Sequence, residues 1–234
     1  MRDAKRKRPA FAEAGRSHDF RQFQAGTYQT GENRTSHTAF ASASDLMQEA
    51  FASVRNVRQA HLDYLRALGV SPGALACLGQ VQPPFGVLGV QELEGSLFEP
   101  SPVGRPALIV PVAKPITRDI QGLSIDDIAI VDLIAVRSAE PTRWLWRDGS
   151  AWALGSGLLG QNAPLRVVPT PFDWLKAGGQ ALCILDWAAP AHCWELLRGE
   201  LALELPDGQL RNRLRNALVR NAALPPMEVA PRAA

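Results

Sequence analysis

Cysteine is scarce in this chain. Cys77, Cys183 and Cys193 are an odd, widely separated set in apolar or helical contexts. That excludes a disulfide framework and fits a reducing cytoplasm. Long apolar runs are also missing: no stretch approaches the roughly 18 residues of a membrane-spanning helix. The basic N-terminus is not followed by the apolar stretch of a secretory signal. No GxGxxG and no GKS or GKT occurs, so phosphate-loop nucleotide hydrolysis has no basis. The four histidines form no spacing with cysteine or carboxylates that suits a metal. A soluble, cytoplasmic protein is expected, with no membrane partner, metal or cofactor.

What is present is enough apolar surface for a core. The chain has 234 residues, 46% of them hydrophobic, which suits one ordinary domain with tails or two small ones. Its 18 prolines and 19 glycines predict short helices and frequent loops. The formal charge of +2 is small, but its distribution is uneven. Arg2, Lys5, Arg6, Lys7 and Arg8 face only Asp3 in the first eight residues. Residues 1–43 read as a disordered basic and polar head, 44–79 as a helical segment, 80–222 as a mixed α/β domain and 223–234 as a tail. Within the head, Lys5–Arg8 resembles a phosphate-contacting arm, and Arg16, Phe20, Arg21 and Phe23 interleave cations with rings. A solvated terminus of no specific role has the same composition.

From Ser44 the apolar spacing Leu46, Ala50, Val54, Val57, His61, Leu65, Leu68 predicts one long helix, open to a break near Ser53 and stopped by Gly69. His61 lies beside that stripe with no ligand partner one turn away, so it reads as a packed histidine. Ser71 and Pro72 begin a second, short helix that has no basic or amide side chain for reading a DNA groove.

Residues 80–166 are strand-rich. Phe85–Val90, Gly95–Phe98, Arg105–Val112 and Ile128–Val136 read as strands. Arg143–Arg147 and Ser150–Leu154 flank Asp148-Gly149, a hairpin signal, giving an antiparallel meander. Asp119, Asp126, Asp127 and Asp132 are the largest carboxylate group. Asp132 interrupts an apolar strand and must be paired, hydrogen-bonded or at an edge. Arg143 or Arg147 on the next strand is its simplest partner. With Trp144 and Trp146 those arginines form an Arg–aromatic candidate interaction surface, against which stands core packing of at least one tryptophan.

The stretch 167–218 predicts helix, buried strand, helix, strand, helix. Thr170 and Pro171 open the first helix, and Asp186 closes the strand Ala181–Leu185. An aspartate there either faces a ligand crevice or caps the next turn. The strand–Asp–helix of 181–198 resembles the metal-binding α/β domain shared by topoisomerases and primases. That domain's glutamate-bearing first element and paired aspartates are not visible, so the resemblance transfers no residue and no activity. Asp207 caps a final helix, Gly208–Ala222, whose stripe is Leu210, Leu214 and Leu218. Its polar side carries Arg211, Arg213, Arg215 and Arg220 with Asn212 and Asn216, and no acid follows Asp207 within it.

The expected architecture is α+β or α/β: a long N-proximal helix, an antiparallel meander, then a small β-α-β-α unit. Three functions are consistent with these residues. One is a non-enzymatic nucleic-acid-associated or mobile-element accessory protein, using Lys5, Arg6, Lys7, Arg8 and the arginine helix on DNA, RNA or an acidic protein surface. Another is a phosphoester or small-molecule enzyme using Asp186 with Asp132 or Asp173. The third is a protein-binding or structural module using the tryptophan strand.

Overall fold

The computed structural model describes residues 41–80, 82–120 and 123–222; side chains at 118–120, 123, 125 and 126 are outside the description. The basic head, with Lys5, Arg6, Lys7 and Arg8, and the tail 223–234 lie outside the described residues. No described helix is long and apolar enough to cross a membrane.

The expected long helix is two helices, α1 (Ala43–Arg55) and α2 (Gln59–Ala67). The cap of α1 is Ser42 rather than Ser44. Its hydroxyl accepts the Asp45 N–H, and the Asp45 carboxylate accepts the Ser42 N–H at 3.0 Å, a reciprocal box two residues earlier than expected. The break follows from what α1 touches. Ser53 is buried and turns its hydroxyl back to the Ala50 carbonyl at 2.6 Å, a bond that competes with the helical ladder. Asn56 then donates its amide to the Val87 carbonyl at 3.0 Å, fixing the helix end to a strand. Gly69, at φ 90°, ends α2. Ser71 and Pro72 start α3 (Pro72–Gly79), as expected.

One sheet has the order β2-β1-β3-β4-β5, antiparallel throughout. Its strands are β1 (Gly86–Glu92), β2 (Phe98–Pro100), β3 (Arg105–Ile120), β4 (Leu123–Val136) and β5 (Trp144–Trp146). The strand expected from Gly95 starts only at Phe98, because Gly95 and Ser96 take positive φ in a 3-10 turn. β3 and β4 are longer than their apolar cores. In β4, Val112 pairs with Asp132 and Ala113 with Ile130, so Val131 is the extra residue of a bulge. The bulge shifts the alternation by one. Ile130 and Leu133, three positions apart, therefore both join the core under α1, with Leu46, Ala50 and Phe98.

The second sheet has the order β6-β8-β7-β9. Its strands are β6 (Ala153–Leu154), β7 (Leu165–Val168), β8 (Leu182–Ile184) and β9 (Leu203–Glu204). β7 is parallel to both β8 and β9, and β6 runs antiparallel to β8. Two layers of helix follow from this order. Helix α4 (Pro171–Lys176) connects β7 to β8, and its Phe172, Trp174 and Leu175 pack with Val168, Cys183 and Leu185. Helices α5 (Ala191–Arg198) and α6 (Gly208–Arg220) pack on the alternate residues Val167, Leu182 and Ile184. The α4 side shares its core with Val110, Val112, Ile134 and Val136 of the first sheet. The chain is thus an α+β fold: an antiparallel meander, then the unit β8-α5-β9-α6, with helices at the N-terminal side.

The hairpin expected across Asp148-Gly149 does not form. β5 pairs with β4 in the first sheet and β6 pairs with β8 in the second. The turn carries the chain from one sheet to the other.

Candidate nucleic-acid interface

Asp127, Asp132, Asp173 and Asp186 each accept hydrogen bonds within the fold. Asp132 has 0% exposure and accepts five backbone N–H groups. Leu133, Arg147 and Asp148 donate to Oδ1 at 2.8, 3.1 and 3.0 Å; Ser150 and Ala151 donate to Oδ2 at 2.9 and 3.1 Å. Asp132 lies just after the bulge, on the face of Ile134 and Val136, where its carboxylate gathers the N–H groups of the inter-sheet turn. Burial pushes its pKa above the ordinary carboxylate range, against the pull of the Asp148, Ala151 and Leu133 N–H groups. The expected pairing with an arginine side chain is not found. Arg147 reaches Asp132 through its backbone, while its guanidinium grips Glu49 of α1 by two bonds of 2.8 and 3.0 Å. Arg143 pairs with Glu92 and Glu140.

Asp186 is held in a local turn, its Oδ1 accepting the Ala188 N–H at 2.8 Å. Asp173 sits in the first turn of α4, accepting the Thr170 hydroxyl at 2.6 Å and the Lys176 ammonium at 3.0 Å. Asp127 accepts the N–H of Ile128 at 2.8 Å. Asp119 and Asp126 lie among the side chains outside the description. Among the described residues no group of three or more His, Cys, Asp or Glu could hold a metal ion.

Trp144 and Trp146 share one face of β5, as their spacing requires, and that face packs on the central core. Their rings meet edge to face at 6.4 Å, and the Trp146 indole donates to the Ala151 carbonyl at 3.1 Å. Leu145, on the other face, joins the core under α1.

The arginine helix is different. Asp207 caps α6 by accepting the Leu210 N–H at 2.7 Å. Leu210, Leu214 and Ala217 bury its inner stripe. Arg198 of α5 donates to the Leu218 carbonyl near its other end. Arg211, Arg213, Arg215 and Arg220 are all exposed, and none is in an ion pair among the described residues. Arg213 lies with its guanidinium 3.9 Å from the ring centroid of Trp187. Loss of water on that face lowers its pKa, leaving it charged at any physiological pH. Trp187 leans in turn on Trp194 at 6.1 Å, and Trp194 on Trp152 at 6.4 Å. The stack is tertiary, since 26 positions separate Trp187 from Arg213, so no sequence spacing announces it.

No known protein family, no curated protein and no solved structure matches this chain.

Proposed function

We propose that the protein is a non-enzymatic, cytoplasmic accessory protein that binds nucleic acid through α6, with Lys5, Arg6, Lys7 and Arg8 of the head adding phosphate contacts. One observation carries this reading: α6 holds four exposed arginines that have no carboxylate partner among the described residues, on a helix whose inner face and both ends are fixed. A cation paired within the fold must give up its partner before meeting phosphate; Arg143 and Arg147 are so paired, and no such pair involves the α6 set among the described residues. Asp132, Asp173 and Asp186 accept hydrogen bonds from the fold, with Asp173 at the start of α4.

The test is salt-dependent binding of a labelled nucleic acid by the full chain. The logarithm of the association constant should fall linearly with the logarithm of salt. The triple variant R211Q, R215Q and R220Q should reduce that slope by about 3. Binding that ignores salt and these substitutions, or equal binding of polyglutamate as an acidic protein surface, would overturn the reading.

A further inference from the structure

The arginines of α6 are not one patch. At about 100° per residue, the inner stripe Leu210, Leu214 and Ala217 fixes the outward direction. Asn212 then points almost straight out, and Asn216 lies about 50° to one side. Arg211 lies about 90° to the left of that line and Arg220 about 90° to its right, with Arg215 and Arg213 joining the respective flanks. Neither amide makes a hydrogen bond among the described residues, and Val219, on the same outward line, is 70% exposed.

Resting on the nucleic-acid reading above, we propose that α6 enters the major groove of duplex DNA, with Asn212 and Asn216 against base edges and the two arginine flanks on the opposite phosphate backbones. A helix about 10–12 Å across fits a groove about 12 Å wide. The 13 residues of α6 span about 20 Å, enough to lie along several base pairs. Asparagine presents a donor and an acceptor side by side, the complement of N6 and N7 of adenine. Val219 offers an apolar contact for a thymine methyl group. The opposite flanks of cations match the two strands that wall the groove.

The alternatives fit less well. A single strand needs an open aromatic face beside the cations. Trp187 stands there, but Arg213 covers one face and Trp194 leans on its ring from within. Duplex RNA has a major groove too deep and narrow to take a helix. Arg213 is held in place by Trp187, yet the edge of its guanidinium stays available as a donor, so its phosphate contact needs little ordering.

The experiment selects preferred sites for the full chain from a random DNA duplex pool, then measures binding to the selected duplex, its single strands and the same sequence as duplex RNA. Selected sites should contain a fixed adenine, and DNA duplex should bind tightest. The variant N212A with N216A, exposed positions checked by far-UV circular dichroism, should lose about tenfold on the selected site and little on random duplex. If single strands or RNA bind as tightly, or the amide variant keeps full sequence preference, groove reading is overturned while arginine-dependent binding stands. If the wild-type chain binds no nucleic acid, both readings fall.

Discussion

Arg213 and Trp187 form a stacked pair at 3.9 Å that joins the outermost helix to the loop after β8. The pair is at the surface, where a cation–π contact is worth about 0.5–1 kcal/mol. A double-mutant cycle with R213Q and W187L should return a coupling of that size, read from urea midpoints. R213Q alone should also change the tryptophan emission, because the indole loses its cover. A coupling near zero would show that the stack does not hold α6.

Asp132→Asn should destabilise the protein by about 3 kcal/mol or more. The substitution replaces one acceptor oxygen by an NH2 group, which meets N–H donors of the 147–151 turn instead of accepting them. Chemical denaturation at neutral pH measures the loss. A variant of unchanged stability would remove Asp132 from its place at the junction of the sheets.

Gly86→Ala should cost about 3 kcal/mol or block folding. An added Cβ would stand 1.8 Å from the Ser53 hydroxyl and 2.7 Å from the Ser53 carbonyl carbon. Because backbone is among the clashing atoms, S53A should not rescue it. Recovery in the double variant would show that only the hydroxyl is in the way.

His61 makes stability depend on pH. Its Nδ1 accepts the Arg58 N–H at 3.0 Å at the start of α2, which leaves the proton of the neutral ring on Nε2. Burial, and then the Arg58 charge, lower its pKa below the ordinary 6.5. The folded state therefore prefers the neutral ring. Its contribution is complete above pH 6.5 and is lost as pH falls from there through the folded value. The urea midpoint of the wild type should drop between pH 7.5 and 5.5, and H61Q should flatten that part of the profile. An equal drop in both proteins would assign the dependence to other groups.

The local chemistry of the fold was readable in order along the chain. Ser71-Pro72, Thr170-Pro171 and Asp207 begin helices, and Gly69 ends one, because caps are decided by neighbours in sequence. What was not readable depended on distant partners. The Asp148-Gly149 signal yields a turn, but its strands join different sheets because Asp132, 16 positions from Asp148, takes the N–H groups that a hairpin would pair. β7 escaped notice since Leu165–Val168 is four residues with only Arg166 exposed, too short for a period to register. Of the candidate site residues, the α6 arginines stand exposed as their helical spacing implied. Trp144 and Trp146 are half-buried against the core, the packing reading of that strand, because their shared face lies toward Val110 and Ile134 rather than toward solvent.

The five N–H groups around Asp132 also lead to an expected order of folding. One donor is the next residue, but the other four lie 15 to 19 positions later. A carboxylate buried before they arrive would be uncompensated, so burial of Asp132 is unfavourable until β5 and the turn beyond it are in place. The expected order is therefore that the first sheet is complete through residue 151 before the second docks on the face carrying Asp132. On that order a conservative change at Val110 should slow folding more than one at Val167, as read from refolding rates.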